Sequence, residues 1–295
     1  MPPRRTISDA IRITGTGLFT GAPCSVTLEP AGAGTRYAIR AGGATFKACS
    51  THRSSHAPHP AFAAMPPRNT ALAARPSDAA SPAVQTVEHL LAAFAGLGVT
   101  DVLATIEGPE VPIGDGSAKL FTGPITDIGL RELAEDASAL VVTSEASITT
   151  EDGQSSMLIE PSADGGTHFR YELDYGPDAP VKPRVAEWHG DPDDFAARIA
   201  PARTFSLQRE VEAMRSMGLF TAFKPSDLLV IADNGEPIDN TLHTPDEPAL
   251  HKLLDLIGDL ALFTGGRPLA ATITATRSGH KLNHAAADAL ENITA

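Results

Sequence analysis

Two stretches of the chain share one helical pattern, and that repetition limits the folds open to it. Glu88-His-Leu-Leu-Ala-Ala-Phe-Ala-Gly-Leu in the first half resembles Leu250-His-Lys-Leu-Leu-Asp-Leu-Ile-Gly-Asp-Leu in the second. Each carries apolar residues at helical spacing, and each precedes a β-rich run, at 102–107 and at 270–276. Further short runs bounded by Gly or Pro read as strands at 10–14, 25–28 and 35–40, then at 140–143, 146–150, 155–161, 168–175 and 228–232. Helices are expected at 84–96, from 121 to 133, at 193–199, at 207–217, from 246 or 248 to 263, and from about 279. Runs of strands precede runs of helices, which favours an α+β fold over a doubly wound parallel sheet. Two related α+β domains are expected, 1–135 and 136–295, divided at the polar stretch 134–138. With 295 residues, 42% of them hydrophobic, either half can bury a core.

Charge and cysteine content narrow the function. The 36 acidic side chains outnumber the 23 basic ones, for a net charge of −13, and no Lys/Arg cluster supplies a nucleic-acid footprint. A small anionic substrate needs only a local basic pocket. Cys24 and Cys49 form no Cys-x-x-Cys pair and are too few for a disulfide framework. The basic start lacks the apolar stretch of a signal peptide, and no window approaches 18 uninterrupted apolar residues. A soluble cytoplasmic protein able to touch a membrane surface is expected, and a monomer. Residues 41–82 read as a long mobile connection with a short strand at 69–72. His52, His56 and His59 fall within it, but Pro58 and Pro60 break any helix that would align them, so they read as solvated loop histidines.

The chemistry gathers on the helices. His251 and Asp255, four residues apart, leave one helix face together and can grip one metal ion, with Asp259 a further turn along. Two ligands are too few for a catalytic zinc, which usually takes three and keeps a position open for water, so a solvated polar stripe competes with this reading. His89 is the natural third ligand, with Glu88 beside it as base, although a satisfied core histidine also accounts for His89. His280 follows a glycine turn at a strand end, where Asp259 could hold it protonated to stabilise an oxyanion or protonate a leaving amine. His284 reads as a surface residue of the following helix.

Taken together, Gly15-Thr-Gly-Leu-Phe-Thr-Gly21, Thr86-Val-Glu-His-Leu-Leu, Gly108-Pro-Glu-Val-Pro-Ile-Gly-Asp-Gly-Ser117, Ala202-Arg-Thr-Phe205, His251-Lys-Leu-Leu-Asp-Leu-Ile-Gly-Asp-Leu260 and Ser278-Gly-His-Lys-Leu-Asn283 carry a specific likeness. In their order and spacing the chain resembles the zinc-dependent UDP-3-O-acyl-N-acetylglucosamine deacetylases of lipid A synthesis, over almost its whole length. The resemblance implies that His89, His251 and Asp255 hold Zn2+, with Fe2+ as the alternative ion. It implies Glu88 as general base and His280, paired with Asp259, as the electrophilic or acidic partner. Thr204 would help hold the carbonyl oxygen, Phe205 would pack on the sugar nucleotide, and Lys252 would face polar groups of the acylated UDP-amino-sugar substrate. It also implies helices facing each other between two outer sheets, with the active site at the domain interface. The likeness departs at Leu250, where members carry Arg, and at 221–226, where Phe223 and Lys224 stand near the family's acyl-chain passage. Two rivals follow: a zinc amidohydrolase for a different N-acetylated sugar nucleotide, and a non-catalytic binding protein. The second would have lost a ligand or the base, yet Glu88, His89, His251, Asp255 and His280 are all present.

Overall fold

The structure, a computed structural model, describes residues 2–56, 68–78 and 80–295. Its fold is α+β, with two principal sheets of the same strand order. In the first, Ile11–Thr16, Pro23–Pro30, Val102–Glu107, Tyr37–Ala41 and Ala44–Lys47 are neighbours in that sequence. In the second the order is Ala146–Thr149, Ser156–Pro161, Leu269–Thr276, Thr167–Leu173 and Arg184–Trp188, with Leu140–Val141 pairing to Leu269–Thr276 off that path. The last strand of each sheet by chain order runs antiparallel to one neighbour and parallel to the other. Each of these strands is also preceded by one of the two repeated helices, Glu88–Gly96 and Glu247–Thr264. The echo in the sequence is thus an echo in topology.

Those two helices form the middle of the molecule. Phe94 on the first meets Tyr37 of the first sheet with ring centroids 5.3 Å apart, while the second packs on Thr167–Leu173 and Arg184–Trp188 of the second sheet. Leu253, Leu254, Leu256, Ile257 and Leu260 are buried, each stabilising the fold by ~1.5–3 kcal/mol relative to exposure. Pro248 in the first turn starts the longer helix with a pre-set φ, and Gly265 ends it in the left-handed conformation at φ 53°. Where the helices meet, a Cβ added to Gly258 would lie 2.1 Å from the carbonyl oxygen of Glu88. Only glycine lets the helix backbones approach this closely.

Several sequence expectations change, among them the helix expected from 84, which begins at Glu88 after the strand Ala83–Val84. The helix expected to reach residue 133 spans Lys119–Ile128, because Gly129 leaves helical space at φ 74°. Leu130–Asp136 is then a strand, paired antiparallel with Pro3–Ile7, so the polar stretch 134–138 begins inside a sheet. Residues 41–82 are not one long connection, since they hold Ala44–Lys47, a turn of 3-10 helix at Ser50–His52, and Leu72–Ala73 paired with Ala83–Val84. His52 stacks on Phe46 and approaches the Cys49 sulfur at 3.2 Å, while His59 lies outside the described residues. His284 is buried, not a surface residue, because its helix turns that face toward Thr70 and Asp259.

A smaller unit closes over one end of the central helices. Phe205–Leu207 and Leu229–Ile231 pair in parallel, joined through the helix Gln208–Ser216, and Met214 and Leu219 pack on Phe19 from the first half.

Candidate metal centre and active-site cleft

Two strained turns deliver the polar side chains. Thr86, buried and β-branched, sits at φ 61° just before the Glu88–Gly96 helix, and Arg277 sits at φ 52° just before Ser278-Gly279-His280. Conformations of this kind cost about 1–3 kcal/mol and persist where their surroundings over-determine them. Here each swings the chain so that the next helix begins at the cleft.

His89, on the first of these helices, and His251 and Asp255, on Glu247–Thr264, offer ligand atoms that all lie within 4.8 Å of one another, the one such group among the described residues. His89 Nε2 is 3.7 Å from Asp255 Oδ1, and His251 Nε2 is 3.3 Å from the same oxygen. His251 Nδ1 is 3.0 Å from the carbonyl oxygen of Ala202 and donates its proton there, which fixes the ring and leaves Nε2 as the nitrogen that faces Asp255. Burial, and then the neighbouring His251, push the His89 imidazole down to about 3. Burial opposes ionisation of Asp255, but Lys252 and His251 outweigh it and hold the carboxyl well below its usual range. Lys252 Nζ donates to Asp255 Oδ2 at 2.7 Å, while Oδ1 and His89 Nδ1 are buried without hydrogen-bond partners. Acceptors facing each other without a proton between them repel, and orphaned buried polar atoms are costly. A divalent cation between His89 Nε2, His251 Nε2 and Asp255 Oδ1 would relieve the repulsion and give Oδ1 a partner, so these residues fit a metal ion, although such an ion does not reach His89 Nδ1.

Glu88 and His280 line the same cleft, about 230 Å³, together with His89, Asp255, Thr204, Phe205 and Lys252. Burial pushes the Glu88 carboxyl up to about 8, with His280 partly offsetting it. Its Oε2 accepts a hydrogen bond from the backbone N–H of Thr70 at 2.9 Å. Burial disfavours charge on His280, but the Asp259 carboxylate outweighs it and raises the imidazole to about 9. Its Nδ1 is 2.8 Å from Asp259 Oδ2. A carboxyl raised to about 8 and an imidazole raised to about 9 give the cleft two groups able to exchange protons close to neutral pH. Asp259 stands one layer behind the cleft and fixes His280, while Ala202 fixes His251. Lys252 faces the cleft but gives its ammonium to Asp255, so its first role is to hold a carboxylate and not to meet solvent.

A sequence model of the LpxC family, described as UDP-3-O-acyl N-acetylglycosamine deacetylase, matches residues 4–292. The chain belongs to this family. Among its relatives are proteins named UDP-3-O-acyl-N-acetylglucosamine deacetylase from Citrifermentans bemidjiense, 36% identical over 95% of this chain and 86% of that one, and from Myxococcus xanthus, 34% identical over 95% and 84%. The protein of that name from Brucella melitensis is 32% identical over 97% of this chain and 94% of its own.

In this member of the deacetylase family several polar anchors of the site escape sequence reasoning. Glu110 is fully buried and accepts from the backbone N–H groups of Phe19 and Thr20 at 3.0 and 2.6 Å, tying the Gly15–Gly21 loop to the Gly108–Ser117 loop. Arg203, next to Thr204, is buried against Glu247, with Nε 2.7 Å from Oε1. Thr70 and Asn283 both bond Asp259, at 2.5 and 2.9 Å. Asn283 and Glu110 lie inside motifs that are visible in the chain. Thr70 has no such signal, since it reaches Asp259 only once residues 189 positions apart have folded together.

Proposed function

We propose that the protein hydrolyses the acetamide of UDP-3-O-acyl-N-acetylglucosamine, releasing acetate in lipid A biosynthesis. The observation that carries this reading is the convergence of three buried ligand residues beside a buried Glu88 and a His280 paired with Asp259, in a chain whose family is described by that reaction. His89, His251 and Asp255 would hold Zn2+, with Fe2+ the alternative, since affinity order alone does not select the metal in a cell. When bound, such an ion supplies Lewis-acid polarisation of a carbonyl and eases deprotonation of water at neutral pH. Glu88 takes a proton from the attacking water as the new C–O bond forms on the acetyl carbon. The Thr204 side chain and His280 steady the oxyanion that develops. His280 then gives its proton to the sugar nitrogen as the C–N bond breaks, leaving acetate and a free amine, and Asp259 keeps the ring oriented throughout.

A polar cleft of about 750 Å³ adjoins this centre, lined by Arg68, Tyr175, Arg209, Lys252 and Phe205 among others. Arg68 meets Glu210 at 3.4 Å and Arg209 meets Asp233 at 4.0 Å, half-exposed and exposed pairs of small worth that a diphosphate can displace. We assign the nucleotide to this cleft, with Phe205 against it. The protein is taken to work in the cytoplasm as a monomer of two related domains, 1–135 and 136–295, touching the membrane surface to draw its substrate. No helix among the described residues is long and apolar enough to cross a membrane.

One observation favours a second reading of the substrate. The apolar crevice behind Thr204, lined by Leu18, Val211, Phe220, Phe223 and Leu228, has a volume of only about 50 Å³. A sugar nucleotide with a short acyl group, or none, suits so narrow a space. Turnover on acylated and non-acylated UDP-N-acetylglucosamine separates the two readings. A higher kcat/KM for the acylated compound is expected, whereas equal values would transfer the site to a non-acylated substrate.

A further inference from the structure

Four groups converge on the Asp259 carboxylate, which is fully buried. His280 Nδ1 and Asn283 Nδ2 approach Oδ2 at 2.8 and 2.9 Å, and Thr70 Oγ1 approaches Oδ1 at 2.5 Å. His284 Nε2 lies 3.6 Å from Oδ1 and 2.8 Å from the Thr70 hydroxyl oxygen. Burial works against the charge on Asp259, but His280 and then His284 outweigh it and hold the carboxyl below its usual range. An ionised carboxylate only accepts, so the single Thr70 hydroxyl proton points to Oδ1. The hydroxyl oxygen is then the acceptor for His284, which must carry its proton on Nε2. The same Thr70 gives its backbone N–H to Glu88 Oε2 at 2.9 Å. One threonine therefore touches both the base and the carboxylate that orients the acid, bridging three helices that the chain presents far apart in sequence.

We propose that Thr70 and His284 are positioning residues of the deacetylation site, clamping Asp259 from the side opposite His280 so that the imidazolium and Glu88 keep a fixed separation across the cleft. Neither residue lines the cleft, so their action is through Asp259 and Glu88 alone. An Asp259 held only through Oδ2 is free to rotate about its χ2 bond. His280 would follow it, and the cleft would lose its aligned proton donor while the metal ligands stayed in place.

The inference rests on the deacetylase reading for its effect on rate, and on geometry alone for its effect on His280. Thr70→Val removes the hydroxyl but keeps the shape and the N–H to Glu88, His284→Leu removes the ring nitrogens, and Thr70→Ser restores the hydroxyl. Two readouts are needed on metal-loaded protein: steady-state acetate release, and nitrogen-15 NMR of the His280 imidazole with its Nδ1 proton. Thr70→Val and His284→Leu are expected to lower kcat about 10–100-fold with little change in KM or bound metal, the range typical of outer-shell partners. Both should shift or broaden the His280 Nδ1 proton, and Thr70→Ser should return rate and signal toward wild type. A His280 signal unmoved in both variants overturns the proposal whatever the rates, as does a Thr70→Ser variant as impaired as Thr70→Val. A moved signal in a protein whose wild type releases no acetate would leave the clamp standing and refute the deacetylase reading instead. Should Thr70→Val fail to fold, His284→Leu and Thr70→Ser carry the same comparison.

Discussion

Replacing Glu88 with glutamine is expected to slow acetate release about 10²–10⁴-fold while the protein keeps its metal and its fold. Glutamine preserves the length of the side chain and an oxygen for the Thr70 N–H, so the hydrogen bond at 2.9 Å survives and the loss is confined to proton transfer. Glu88 is suited to that transfer because burial lifts its carboxyl to about 8, near the pH at which water must be deprotonated. Among the described residues no basic side chain forms an ion pair with it, and its hydrogen-bond donor is the backbone amide of Thr70. Rates and metal content measured on purified Glu88→Gln decide the matter. A variant that turns over like the wild type would remove Glu88 from the chemistry.

Gly258→Ala carries the second large effect, through backbone packing. The new methyl carbon would stand 2.1 Å from the Glu88 carbonyl oxygen, with the Glu88 carbonyl carbon and Cα also within contact distance. No rotamer relieves a clash between a Cβ and a main-chain atom, so the two central helices must separate. Overpacking a core costs about 1–3 kcal/mol and sometimes more. Here the displaced turn also carries Glu88 and His89, so activity is expected to fall further than stability. Denaturant unfolding and acetate release together test this, and a variant with wild-type values for both would contradict the close helix contact.

The parts of this architecture that follow local rules were legible in the chain. The repeated helices announce themselves by apolar spacing, by the Pro248 start and by a glycine stop, and the alternating strands by their bounding Gly and Pro residues. The residues of the candidate metal site were legible for a related reason: His251 and Asp255 share one helix face, and His89 breaks an otherwise apolar helix in the matching place. What local pattern could not supply was the pairing of distant segments. Pro3–Ile7 becomes a strand because Leu130–Asp136 is there to meet it, and residues that read as the end of a helix become that partner once Gly129 stops the helix. His284 looked like a solvated helix residue because its burial depends on Thr70, which stands 214 positions away in the chain. Lys252 shows the same limit at shorter range. Its place beside the cleft was expected, but its bond to Asp255 is decided by rotamer and charge, not by sequence spacing.

The most direct test of the account is to measure metal content and acetate release together, on the wild type and on His251→Ala, with acylated UDP-N-acetylglucosamine as substrate. About one divalent ion per chain with turnover, both lost in the variant, is the predicted result, because two remaining ligands do not complete a catalytic site. Acetate released at the wild-type rate by metal-free protein, or by His251→Ala, would contradict it.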